Sequence, residues 1–201
     1  MHEHGLVAQW LPLPTQNDED TRALVRSFLD VFPHAALWTT EFHEMLLIGS
    51  ATPMVLDVSR IRQRFEQPQV SAALAEVGIS SVEAMLATRV TDRQGLERYA
   101  GDAQPVTDDR PRIEYAPWVR PREITRVLPA LLALRVTPPL ENANPSVQTA
   151  VDEEWALLHR FYEWSLLAYN GDRQAWMREA RALAPIAAEN SYMRWFTGGK
   201  R

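Results

Sequence analysis

No cysteine occurs among the 201 residues, so a disulfide framework, a thiolate nucleophile and a cysteine-built zinc site are excluded. Glycine is sparse, eight in all at positions 5, 49, 78, 95, 101, 171, 198 and 199. No combination of them spells G-x-G-x-x-G or a P-loop, so the usual phosphate-cradling loops cannot be built within this stretch. There is no G-x-S-x-G either, which leaves Ser50, Ser59 and Ser165 outside any nucleophile elbow. Positive charge is in deficit, 21 Lys and Arg against 26 Asp and Glu for a net charge of -5, whereas neutralising nucleic-acid phosphates requires a basic face. Long apolar runs are missing as well. The longest, "ITRVLPALLALRV" (124–136), falls short of the roughly 20 residues of a membrane span and carries Arg126 and Arg135. With no basic region and apolar core of a secretory signal at the N-terminus, the expected compartment is the cytoplasm.

What is present is ordinary globular material, 46% hydrophobic and 23% charged, enough for one core or for one domain with a helical appendage. "GLVAQWLPL" (5–13) is almost wholly apolar and is closed by Pro12 and Pro14, which predicts a short strand covered on both faces. Trp10 is expected to be a core anchor whose truncation abolishes soluble expression. "TQNDEDTRALVRSFLDVFP" follows as a helix, with Thr15 or Asn17 as cap, Asp18, Glu19 and Asp20 in the first turn, and Pro33 as stop. Leu24, Val25, Phe28, Leu29 and Phe32 fall on one stripe, which suits a helix packed on a sheet. "HAALWTT" (34–40) and "EMLLIGS" (44–50) read as two strands joined by a short turn. Strand, helix, strand, strand is how a doubly wound α/β sheet finishes when its last strand folds back antiparallel.

From 51 to 104 the pattern is helical: "VSRIRQRFE", "QVSAALAEVG" ending at Gly78, "SVEAMLATRV" and "RQGLERYAG". The proline-rich loop 101–123 contains a short "RIEY" suited to an edge strand. Beyond it the chain reads as helices to the end, interrupted by the linker "TPPLENANP" (137–145) and including a long helix near 146–169. The expected domains are therefore 1–137 and a helical tail 138–201. The tail has the offsets of a tetratricopeptide-like hairpin around "NGD", and one such unit needs the rest of the chain to bury its face.

Chemistry-bearing residues are few. "HEH" at 2–4 and "FHE" at 42–44 lack the i, i+4 spacing of a zinc helix, and the five histidines, His2, His4, His34, His43 and His159, read as surface residues rather than ligands. No metal site is expected. Asp108, Asp109 and Arg110 in "TDDRP" form the sharpest polar cluster. Two carboxylates there could serve as acid and base, or the segment is a self-bonding turn neutralised by Arg110, which is the preferred reading. Gln9 is a lone amide in an apolar strand, near the carboxyl ends where doubly wound sheets bind ligands; it is either a substrate-facing group or a satisfied structural amide.

Taken in order, "GLVAQWLPL", the helix ending "FLDVFPHAALW", the strand "LLIGS" and "TDDRPRIEY" give a chain that resembles the C-terminal half of spermidine synthase-like proteins, the polyamine aminopropyltransferase family. The resemblance covers roughly 5–117. It implies a methyltransferase-like Rossmann fold in which 5–13 is the fifth strand, 34–40 the sixth and 44–50 an antiparallel seventh lying between them, followed by an α-helical region. It further implies decarboxylated S-adenosylmethionine as co-substrate in an intact relative, bound by a glycine-rich loop after the first strand and an acidic residue closing the second. The acceptor amine is deprotonated there by an Asp beyond the fourth strand. None of those segments lies in these 201 residues. Of the family's site positions only Gln9, in the fifth-strand "AQ" motif, carries over, and "WTTEFHE" replaces the Pro-Thr-Tyr segment that follows the sixth strand.

The expectation is thus a chain that starts at an internal methionine of a longer domain or descends from one that lost its first half, inactive alone and binding no cofactor itself. Its partner would be an upstream domain, a second chain or another copy at the open strand edge, and intact relatives include membrane-anchored forms. The alternative is a non-enzymatic protein-interaction module derived from the same domain. If Leu6, Val7, Trp10, Leu11 and Leu13 lost most of their cover, the deficit would be roughly 7–15 kcal/mol, comparable with the whole stability of a domain.

Overall fold

The computed structural model describes residues 5–109, 111 and 122–198. In chain order the elements are β1 (Leu6–Pro12), α1 (Asp18–Val31), β2 (His34–Glu41), β3 (Glu44–Ser50), β4 (Leu56–Asp57), α2 (Val58–Phe65), α3 (Pro68–Glu76), α4 (Val82–Ala87), β5 (Arg89–Asp92), α5 (Arg93–Ala100), α6 (Ile124–Leu132), β6 (Leu140–Glu141), α7 (Pro145–Asn170), α8 (Arg173–Glu189) and α9 (Ser191–Phe196). The fold is mixed α/β with a small antiparallel sheet, and among the described residues no helix is long and apolar enough to cross a membrane. Two compact units form, residues 1–54 with 89–137, and residues 55–88 with 138–201. The chain passes from one to the other at 54/55, 88/89 and 137/138, so the segment 55–88 groups with the C-terminal helices and 89–137 with the sheet.

The first unit is built on a four-stranded sheet in the order β1-β3-β2-β5. β3 runs antiparallel to both β1 and β2, in registers that pair Gln9 with Leu47 and Leu37 with Leu47. β1 and β2 therefore point the same way, with α1 as the crossover between them. On one face Leu11, Met45, Leu47, Leu37 and Ala35 are buried. Gly49 on that face lets α1 approach so closely that an added Cβ would lie 2.5 Å from Phe32 and 2.7 Å from Phe28. α1 forms where the sequence places it: the Asn17 side chain accepts from the Asp20 N–H at 2.7 Å, and three acids occupy the first turn. Its last turn contains no basic residue. Arg93 of α5 supplies one, donating from Nη1 to the Leu29 carbonyl at 2.9 Å and to that of Phe32.

β1 departs from the expectation of two-sided burial. It pairs only with β3 among the described strands, and Leu6 and Trp10 are 65% and 57% exposed. Trp10 is therefore no core anchor. The physical reason is position: an apolar strand at the rim of a sheet has one neighbour, so only the side chains reaching under the sheet, Leu11 and, just beyond the strand, Leu13, are fully covered. A second correction concerns 81–92. "SVEAMLATRV" is helical only over α4, after which Arg89–Asp92 form a strand antiparallel to β2. Val90 and Thr91 are β-branched and buried there, and the tertiary pairing overrides the helical pattern. "RIEY" and Arg110 lie outside the described residues.

In the second unit α7 is a 26-residue helix capped by Asn144, whose side chain accepts from the Val147 N–H at 3.1 Å. Gly171, at φ 75°, ends it in the left-handed conformation that glycine adopts without strain, and Asp172 caps α8. α7 and α8 make a hairpin in which Trp164 stacks on Trp176 at 5.4 Å, and α9 adds to an aromatic core in which Phe161 of α7 packs edge-on against Tyr192 and Phe196. The Tyr162 and Tyr192 hydroxyls are hydrogen-bonded at 2.8 Å in the interior. β4 and β6 join as a two-residue parallel ladder.

Candidate functional site

Gln9 lies on β1 with its side chain exposed, opposite the fully buried Leu47 on β3. Asp108 and Asp109 occupy an exposed turn, and the Arg110 expected to neutralise them lies outside the described residues. Among the described residues no hydrogen bond or ion pair joins Gln9, Asp108 and Asp109 to one another. Among the described residues no group of three or more His, Asp or Glu is placed to hold a metal. His43 Nδ1 stands 3.3 Å from Glu41 and His159 Nδ1 3.6 Å from Glu163, and His2 and His4 lie outside the described residues.

The polar cluster that the structure does assemble joins α1 to α5. Arg22 donates from Nε to Asp18 at 2.7 Å and from Nη1 to the Tyr99 carbonyl at 2.5 Å, and its guanidinium lies 4.7 Å from the centre of the Tyr99 ring. The Tyr99 hydroxyl donates to the other Asp18 oxygen at 2.9 Å. Burial first, and then the adjacent Asp18 carboxylate, push the Tyr99 phenol above its ordinary range. A phenol held protonated is no base, and both Asp18 oxygens are occupied, so this cluster ties α5 to α1. A cleft of about 650 Å³ opens beside it, lined by Asp18, Glu19, Asp102, Glu123, Arg22 and Arg126 among others. Sequence reasoning missed the cluster because its members are 77 to 81 residues apart, and only the i, i+4 spacing of Asp18 and Arg22 was visible.

In the second unit a cleft of about 530 Å³ runs between α4, α7, α8 and the start of α9. Glu154 borders it, its carboxyl raised above the ordinary range by burial and then by Glu83 and Glu153. Arg89 of β5 is buried with its Nη1 lacking a hydrogen-bond partner, and desolvation lowers its pKa while Asp92 works in the opposite sense.

Among the described residues, the outer edge of β1 pairs with no other strand. β1 carries no charged residue, its register with β3 is continuous over seven pairs with no bulge, and the Trp10 indole N–H donates to Glu44 across the strand pair. Edge strands in water are normally blunted by a lysine, a bulge or a mid-strand proline, and β1 has only the terminal Pro12. On the face bearing Leu6, Ala8 and Trp10, the neighbouring Leu46, Ile48 and Trp38 are half-buried, so an apolar strip continues from the edge onto the sheet. No family model, curated protein or solved structure matches the chain.

Proposed function

We propose that the chain is a spermidine synthase-like protein of the polyamine aminopropyltransferase family, contributing the C-terminal part of a methyltransferase-like Rossmann domain and catalytically silent by itself. One observation carries this reading: the order β1-β3-β2 with β3 reversed and α1 crossing between two like-pointing strands is the arrangement that the resemblance implies for strands five, seven and six. The outer side of β1 is then where a fourth strand, and with it the nucleotide-binding half, is received in parallel. The residues present do not fit the nucleotide itself. No glycine-rich loop follows a strand, and Gln9 stands alone on an exposed rim, so no chemical step is assigned to this chain.

The test pairs the chain with a separately produced nucleotide-binding half of a spermidine synthase-like enzyme and titrates methylthioadenosine by calorimetry. The chain alone gives no heat of binding, and the co-purified halves give a single site. One-site saturation of the chain alone at micromolar ligand, or failure of the halves to associate, overturns the proposal. The exposed Leu6 and Trp10 beside an unprotected edge favour a second reading, a non-enzymatic module that binds a partner protein through the same strand. Association of the halves without methylthioadenosine binding would select it.

A further inference from the structure

A separate observation, in the second unit and independent of the β1 edge, concerns the hairpin of α2 and α3. α2 presents Ile61 and Phe65 one turn apart, and α3 presents Val70 and Leu74 likewise. Together with Val55 and Met85 they floor a trough of about 580 Å³. This floor is left open: α3 has no fully buried residue and Val55 is 57% exposed. Helices of eight and nine residues give it a length of about 12 Å, room for a medium-length alkyl chain.

The rim of the trough is cationic. Arg60 and Arg64, again one turn apart, line it on the same side of α2. Arg62, between them in sequence, pairs with Glu83 at 2.6 Å, whereas neither Arg60 nor Arg64 has an acidic partner within ion-pair distance among the described residues. The one acid in the lining, Asp57, accepts the Arg60 backbone N–H at 3.0 Å with one oxygen and Asn142 Nδ2 at 2.8 Å with the other, and its charge acts on Arg60 only from beyond ion-pair distance. A narrow apolar floor with two guanidinium groups at one edge is complementary to a molecule with an alkyl body and a carboxylate head, because the planar guanidinium presents paired donors to a carboxylate.

We propose that the α2–α3 trough binds a free medium-chain fatty acid, with the alkyl chain along Ile61, Phe65, Val70 and Leu74 and the carboxylate at Arg60 and Arg64. The full chain, with its methyl groups isotopically labelled, is titrated with decanoate and followed by NMR, with decanol and an acidic leucine–glutamate helical peptide as parallel probes. Decanoate is expected to shift the methyl resonances of Ile61, Val70, Leu74 and Met85 saturably, and the double variant R60Q/R64Q to weaken that binding by at least about tenfold at unchanged Tm. Equal binding of decanol, equal binding by the double variant, or no saturable shift overturns the proposal. Saturation by the peptide and not by decanoate also overturns it, and assigns the trough to a protein partner.

Discussion

Trp10 and Leu11 are adjacent in sequence and opposite in energetic standing. Trp10 is largely exposed and its indole donates to Glu44 at the surface, whereas Leu11 is fully buried against the α1 side of the sheet. Trp10→Ala is therefore expected to cost about 1 kcal/mol or less and to leave a soluble, cooperatively melting protein, while Leu11→Ala costs roughly 2–5 kcal/mol, both read from urea unfolding. A Trp10→Ala chain that fails to fold would restore the anchor role that hydropathy alone assigns it. Glu154 gives a residue-scale test in pH. Its folded-state pKa is raised, so the folded chain holds the proton more tightly than the unfolded one, and the stability it contributes is present at acid pH and lost as pH rises through the raised value. Glu154→Gln should accordingly melt above the parent at neutral pH, with the difference closing in acid. A gap that is independent of pH would place its cause elsewhere.

The elements that sequence made legible are those with chemical punctuation at their ends. Asn17, one of the two caps expected for α1, does cap it, and Gly171 closes α7 where "NGD" places a turn. The two long strands of the sheet interior, β2 and β3, were equally legible from their apolar content. β5 was not, because its four residues follow α4 without a breaker and become a strand only by pairing with β2. Burial of β1 was also beyond reach, since hydropathy says that a strand is apolar and not how many neighbours it has. The polar tie of Asp18, Arg22 and Tyr99 is a product of packing α5 on α1, and pairing over such separations leaves no local signature. That packing of α1 on the sheet depends on Gly49, where a Cβ would meet the rings of Phe28 and Phe32, themselves 4.6 Å apart. Gly49→Ala is expected to cost about 1–3 kcal/mol in thermal or urea unfolding, and an unchanged Tm would show that the two rings have room to give way.

At the scale of the molecule, the two units differ in what they leave unfinished. The helical unit buries an aromatic core around Phe161, Tyr162 and Tyr192 and keeps an open apolar trough on α2 and α3. The sheet unit buries one face under α1 and keeps a neutral, bulge-free rim strand flanked by Leu6 and Trp10. With Leu11 and Leu13 covered, the exposed apolar side chains at that rim reduce to Leu6 and Trp10, worth about 3–6 kcal/mol if both were fully buried, a free energy on the scale of specific association rather than of folding. The rim is thus a place where a further strand can add. Amide hydrogen exchange across Leu6–Pro12, measured on the chain alone and on the chain saturated with the nucleotide-binding half of a spermidine synthase-like enzyme, tests this most directly. Strong slowing in this strand on addition of the second half is predicted, and exchange there that is unchanged while the halves remain associated would contradict the account.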